Sequence, residues 1–271
     1  MALRREPHVL VVGGSDSSGG AGIARDLEAI SSFGVRSCLA VTALTVQTHE
    51  AVQEIHPMQP GLVADQMRAA LQANKVGAVK IGMLATAEIV FAVASVLRDN
   101  PQVPTVLDPV LASTSGRALL EADAIAAMKR DLMPLCCIVT PNLPELALLI
   151  GSELAVDENG ALQQGQRLLA AGPQALLIKG GHASGPRSTD ILLRSGHEPI
   201  RFDAPRFATS MRGTGCMLAS AIAARLANAR SLEDGVREGK LFVFEKIQKC
   251  RLNNRNVLRP ARQAHFPESF P

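Results

Sequence analysis

Gly213-Thr214-Gly215-Cys216 stands immediately before the apolar run Met217-Leu218-Ala219-Ser220-Ala221-Ile222-Ala223-Ala224. Two glycines let a backbone approach a ligand closely and turn into a helix. The first N–H groups of a helix have no partner inside it, and such a start favours anions, phosphate above all. Cys216 stands where the same positive field would lower a thiol pKa. An anion cradle beside an activatable proton acceptor points to phosphoryl transfer. The alternative is a tight turn that caps a core helix.

Other residues could share that chemistry. Gly14-Ser15-Asp16-Ser17-Ser18-Gly19-Gly20-Ala21-Gly22 is a glycine- and serine-rich loop. Gly20 and Gly22 supply one G-x-G, but Arg25 stands where a dinucleotide fingerprint needs its third glycine, and no Walker lysine follows. The loop suits closure over a small polar ligand. Asp26, one turn into the next helix, could accept from a ligand hydroxyl or amine, or face water. Gln47 can donate and accept at once, as the edge of a heteroaromatic ring requires. Met83 could pack on a ring face. Taken singly, these three could equally be surface or core filler.

Asn142 and Glu145 could form a reciprocal box at the start of a helix, or hold the waters around Mg²⁺. Lys179, beside Gly180-Gly181, could be surface charge or meet a polyphosphate. Asp108-Pro109 could be a strand-ending turn.

Alternating elements must position these residues. His8 to Gly13 reads as a buried strand and about Ala21 to Phe33 as a helix stopped by Gly34. Strands follow at Ser37 to Leu44 and Val52 to His56, then a helix from Pro60 to about Asn74. Val76 to Ile81 is a strand, Ala87 to Arg98 a helix, Pro104 to Leu107 a strand, and about Ala122 to Leu132 a helix. Cys137 to Thr140 is a strand, with a helix after Glu145 and another from Gly160 to Ala171. Ala175 to Ile178 is a strand, and Asp190 to Leu193 with His197 to Phe202 a hairpin. The helix after Cys216 and one around Leu232 to Ile247 complete the chain. This order predicts an α/β fold with a mostly parallel sheet covered on both faces. Ligands of such sheets sit beyond the C-terminal strand ends, where the polar clusters fall. No internal repeat or linker interrupts the 271 residues, which read as one domain over 1–271.

The balance of 47% hydrophobic and 20% charged residues is that of a globular chain with ample core. A net charge of +3 does not argue for nucleic acid. Lys240, Lys246, Lys249, Arg251, Arg255, Arg259 and Arg262 read as a solvated C-terminal face. With no Trp or Tyr, base-stacking platforms are scarce, so Met, Val, Leu and backbone groups are expected to hold a heterocycle. Five scattered cysteines lack metal spacing and suit a reducing cytoplasm. The first residues lack the apolar run of a secretion signal, and no segment reads as a membrane span.

In this order, the motifs resemble the hydroxymethylpyrimidine/phosphomethylpyrimidine kinases of thiamine synthesis, a branch of the ribokinase-like superfamily. They are Gly14 to Ile23 with Asp26, Thr42-Ala43-Leu44 to Gln47, Lys80-Ile81-Gly82-Met83-Leu84 and Asp108-Pro109-Val110. Thr140-Pro141-Asn142-Leu143-Pro144-Glu145, Lys179-Gly180-Gly181-His182 and Gly213 to Cys216 complete the set. The resemblance spans roughly residues 8 to 225. It implies a ribokinase-like three-layer sandwich, usually a homodimer, that phosphorylates the pyrimidine hydroxymethyl group and then the monophosphate with MgATP.

By motif position, Gly14, Asp26, Gln47, Met83 and Val110 should form the pyrimidine pocket. Asn142 and Glu145 should organise magnesium, with Asp108 also on the metal side. Lys179, Asn142 and Arg212 should lie on the ATP side. Gly213, Thr214, Gly215 and Cys216 should form the anion hole, Cys216 serving as thiolate base. The chain departs from the family pattern in Arg212, usually histidine, in Ala208-Thr209-Ser210-Met211, and in a C-terminal segment without the expected glycines. These departures are expected to touch the nucleotide side. A pyridoxal or pyridoxine kinase, or a non-catalytic pyrimidine-binding regulator, are the competing readings.

Overall fold

Val9 and Val11 face one side of the first strand and Leu10 and Val12 the other, and all four are fully buried. A strand with no wet face must lie inside a sheet covered on both sides. The structure, a computed structural model, describes residues 6–113, 116–182, 185–207 and 211–257. Among them, nine strands form one continuous sheet. They are β1 (His8–Asp16), β2 (Arg36–Gln47), β3 (Val52–Pro57), β4 (Val76–Ile81), β5 (Thr105–Leu107), β6 (Ile138–Val139), β7 (Ala175–Ile178), β8 (Arg187–Arg194) and β9 (Ile200–Pro205). The spatial order is β3-β2-β1-β4-β5-β6-β7-β8-β9. The pairs from β2 to β7 are parallel, and β3, β8 and β9 join antiparallel at the two ends.

Eight α-helices accompany the sheet among the described residues: α1 (Gly22–Ser32), α2 (Pro60–Ala73), α3 (Ala87–Arg98), α4 (Ala122–Ala127), α5 (Leu143–Ile150), α6 (Glu158–Leu169), α7 (Thr214–Ala227) and α8 (Leu232–Val257). One face packs Leu10, Val79, Ile81 and Leu107 against Met67 of α2, Val93 of α3, Leu146 of α5 and Leu168 of α6. The other packs Val9, Val11, Ala78 and Val106 against Ile30 of α1, Ile222 of α7 and Val236 of α8. These are the three expected layers. No helix among the described residues is long and apolar enough to cross a membrane.

The sequence reading needs local corrections. Gly14, Ser15 and Asp16 are not loop but the end of β1; a register shift after Gly13 keeps them paired with Ala43, Leu44 and Thr45. The helix expected to Leu132 passes into a π turn over Met128–Leu132. α8 continues past Ile247 to Val257, since no glycine or proline interrupts residues 240–259. The basic C-terminal face is only partly solvated. Lys240 pairs with buried Asp190 at 2.9 Å and Lys246 with Glu28 at 2.8 Å, while Arg251 lies over the Phe207 ring. The side chains of Arg255, Arg259 and Arg262, like residues 208–210, lie outside what is described.

Candidate active site

Parallel strands deliver their C-terminal ends to one edge. Asp16 ends β1, Gln47 ends β2, Asp108 follows β5 and Lys179 follows β7. These ends open into a cavity of about 750 Å³. Gly14, Asp26, Gln47, Met83, Val110, Asp108, Asn142, Glu145, Lys179, Arg212 and the turn Gly213 to Cys216 all line it. The sequence distributes them over two hundred positions; the sheet brings them together.

Gly213 is the N-cap of α7, with a left-handed φ of 76° and no side-chain cap. A residue with a Cβ is strained in that conformation. The first N–H groups of α7 therefore face the cavity without a capping side chain. Gly215 leaves room for a close neighbour: a Cβ there would stand 3.1 Å from Lys179 Nζ, and the lysine would have to give way slightly.

Lys179 is buried and donates to Asp108 Oδ1 at 2.6 Å, with Glu145 Oε2 3.7 Å away. Burial pulls its ammonium down, but Asp108 and Glu145 outweigh burial and hold it above the ordinary lysine value. Lys179 is therefore a fixed positive charge behind the turn, already shared between two carboxylates, and not surface charge.

Both halves of the box at α5 are present. Asn142 Oδ1 accepts from Glu145 N–H at 2.8 Å, and Glu145 Oε2 accepts from Asn142 N–H at 2.7 Å. The capping alternative is thus realised. Burial pushes the Glu145 carboxyl up to about 7, Lys179 pulling it down and Asp108 adding to the rise. Two carboxylates around one ammonium leave a local deficit of positive charge. Mg²⁺, which takes one or two carboxylates and keeps its waters, suits that deficit. Among the described residues, no three His, Cys, Asp or Glu side chains converge as a closed metal cage.

Three expectations change. Asp26 neither faces water nor stands free for a ligand. It is fully buried, holds Lys80 Nζ at 2.7 Å and accepts from Ser220 Oγ at 2.8 Å. Cys216 lies half-buried on the cavity wall, but its thiol is not lowered by the helix start. Burial pushes it up to about 11, against the opposing charge of Lys80. Arg212 spends its donors on the acceptor side: it donates to Ser18 Oγ at 3.2 Å and the Thr48 carbonyl at 3.1 Å, and pairs with Asp16 at 3.4 Å.

The remaining acceptor-side residues keep their surroundings. Gln47 Oε1 accepts from Thr45 Oγ1 at 3.2 Å, and Ser17 Oγ holds the Gln47 backbone N–H at 2.8 Å. Met83 packs with Ala43, Ala85, Val110 and Leu119 as a small apolar wall.

The opposite end of the cavity escaped the sequence reading. Phe207 and Phe244 stack there with centroids 5.1 Å apart, beside Val243 and Ile247. A chain without Trp or Tyr nevertheless builds an aromatic platform. Lys240, Val243, Phe244 and Ile247 stand at helical spacing in the sequence, the signal that could have found it. Lys80 stood in one of the sequence motifs, but neither its pairing with Asp26 nor that of Ser220 had such a signal.

Comparison with known proteins gives a consistent picture. The sequence model described as phosphomethylpyrimidine kinase matches residues 16–260. The hydroxymethylpyrimidine/phosphomethylpyrimidine kinase of Rhizobium meliloti is 40% identical over 239 residues, 88% of this chain and 89% of that protein. The crystal structure of phosphomethylpyrimidine kinase from Clostridium difficile superposes with a TM-score of 0.77 at 32% identity, covering 89% of this chain and 100% of that one. The Staphylococcus aureus pyridoxal kinase in complex with AMP-PCP and pyridoxal gives 0.80 at 28% identity, covering 89% and 88%.

Proposed function

This chain belongs to the phosphomethylpyrimidine kinase family, and we propose that it transfers a phosphoryl group from ATP to 4-amino-5-hydroxymethyl-2-methylpyrimidine and then to its monophosphate in thiamine biosynthesis. The observation that carries this reading is one cavity holding an uncapped helix start, a buried lysine, two carboxylates and an apolar acceptor wall.

Met83 and Val110 supply the apolar face for the heterocycle, and Gln47 its polar edge. Asp26 acts from beneath, through Lys80 and Ser220. The N–H groups of Thr214, Gly215 and Cys216 receive charge that develops on the transferring group, and Lys179 adds a positive charge that needs no reorganisation. Phe207 and Phe244 offer the nucleotide base a stacking wall. Asp108 and Glu145 would hold magnesium, which when bound neutralises phosphate charge. Cys216 Sγ is the acceptor for the hydroxyl proton. Burial holds that thiol well above its ordinary value, so the un-ionised form dominates at pH 7. Base catalysis is thus a minor part of the acceleration, and positioning and charge stabilisation carry most of it.

A homodimer and a reducing cytoplasm accompany this reading. The cysteines, all free, support the second; light scattering tests the first. The deciding assay supplies MgATP with hydroxymethylpyrimidine, its monophosphate or pyridoxal, and detects phosphorylated product. Both pyrimidines should react faster than pyridoxal. Faster turnover of pyridoxal would make the chain a pyridoxal kinase. ADP release no higher than in Cys216→Ala, with heat stabilisation by the pyrimidine alone, would make it a binding protein.

A further inference from the structure

Arg212 immediately precedes the left-handed Gly213 that opens α7. Its side chain nonetheless reaches three separate pieces of the acceptor side. Nη1 donates to Ser18 Oγ in the β1–α1 loop at 3.2 Å and to the Thr48 carbonyl beyond β2 at 3.1 Å. Nη2 lies 3.4 Å from Asp16 Oδ2 at the end of β1. Asp16 in turn fixes Ser18, its Oδ1 accepting from the Ser18 N–H at 2.8 Å and hydroxyl at 2.7 Å. A planar guanidinium with five donors can serve such divergent acceptors at once; an ammonium cannot match its fork. The carboxylate of Asp16 is almost fully buried and the guanidinium four-fifths covered, so the pair is shielded from water.

We infer that Arg212 is a positioning residue that ties the anion-binding turn to the acceptor pocket, and that it sets the affinity for the heterocycle, not for the nucleotide. The inference rests on the kinase reading above and deepens it. The turn that receives the phosphoryl group and the loop that closes over the acceptor share one side chain. Loss of that side chain lets the two drift relative to each other, and a misplacement of about 1 Å can cost about a hundredfold in rate.

Arg212→Met tests this. The pyrimidine KM should rise and kcat should fall about tenfold or more, while the ATP KM stays within about twofold. Arg212→Lys should fall between the two, keeping charge near Asp16 without the fork. Asp16→Asn combined with Arg212→Met should be little worse than Arg212→Met alone, because both cut the same link. A raised ATP KM with an unchanged pyrimidine KM, or fully multiplicative losses in the double variant, would overturn the inference. Should Arg212→Met fail to fold, Ser18→Ala removes a single arm and should move the same KM. Thermal shifts with the pyrimidine and with AMP-PCP separate this inference from the kinase reading. A wild-type chain that releases no ADP sinks the kinase reading. Weakened AMP-PCP binding in Arg212→Met, with pyrimidine binding intact, sinks the clamp even without turnover.

Discussion

Lys80 and Asp26 face each other at 2.7 Å with about 1% of either side chain exposed, in the wall of the cavity that Cys216 also lines. Lys80 comes from β4 and Asp26 from α1, and Ser220 of α7 completes the contact at 2.8 Å. Burial pushes the Asp26 carboxyl up and pulls the Lys80 ammonium down; for Lys80 the Asp26 charge outweighs burial and holds it above the ordinary lysine value. Removing one partner of such a pair strands the other charge in the interior, at a cost of about 3–5 kcal/mol. Asp26→Asn should therefore lower the unfolding free energy of the metal- and nucleotide-free chain by an amount of that order, read as a lower denaturant midpoint at unchanged m. Asp26→Asn with Lys80→Met should recover much of it. If Asp26 were only a ligand contact, substrate affinity would fall with no loss of stability, and urea titration would show it.

Glu145 makes stability depend on pH in a defined direction. Burial raises its carboxyl to about 7, opposed by Lys179 and reinforced by Asp108, from an ordinary 4.5. A raised carboxyl means that the folded chain holds a proton that the unfolded chain has released. The contribution is complete below about 4.5 and is lost as pH rises through about 7. Glu145→Gln mimics the protonated form and should lack this loss. In chelator, the wild-type chain should thus lose stability relative to Glu145→Gln between pH 4.5 and 7. A constant difference across that range in chemical denaturation would contradict the assignment.

Cys216 offers a chemical readout. A thiol held at about 11 by burial should react slowly at neutral pH, since the thiolate is the nucleophile. Alkylation of Cys216 by iodoacetamide, followed by mass spectrometry, should climb with pH and not level off before about pH 10. Cys216→Ala should lower kcat. Because general-base catalysis typically contributes about 10²–10⁴-fold and the thiolate is scarce here, the loss should sit near the lower end of that range. Fast alkylation at pH 7 would restore the lowered thiol expected from the helix start.

Much of this site was legible because parallel strands place their loops on one edge. Once the alternation of strands and helices is read, Asp108, Asn142 and Lys179 must gather there, however far apart they are in the chain. The chemical state of the side chains was less legible. The helix start at Cys216 argued for a lowered thiol, but burial, a tertiary property, pushes it the other way. Arg212 stands next to the phosphate turn in sequence, yet its long side chain spends its donors on Asp16, Ser18 and Thr48. Asp26 could not announce its partner, because Lys80 lies 54 residues away on another element. Residue type and spacing located the cavity; pairings between distant elements determined what each group can do inside it.

Phe244 tests the far end of the cavity. Its ring stacks on Phe207 with planes 24° apart, on a helical stripe that also carries Lys240, Val243 and Ile247 to the cavity wall. Lys240 pins this stripe to the sheet through Asp190 at 2.9 Å and Ser188 Oγ at 3.1 Å. Stacking of a base on an aromatic side chain is worth about 1–3 kcal/mol by alanine substitution, so Phe244→Ala should raise the ATP KM by roughly five- to 150-fold. The pyrimidine KM should stay within about twofold, since Gln47 ends β2 and Met83 follows β4, well across the sheet from β9, which Phe207 follows. Arg212→Met is expected to move the two constants in the reverse sense, and the pair of variants therefore divides the cavity into its two halves. Equal changes of both constants in Phe244→Ala would show that the aromatic wall supports the fold of α8 and does not read the nucleotide.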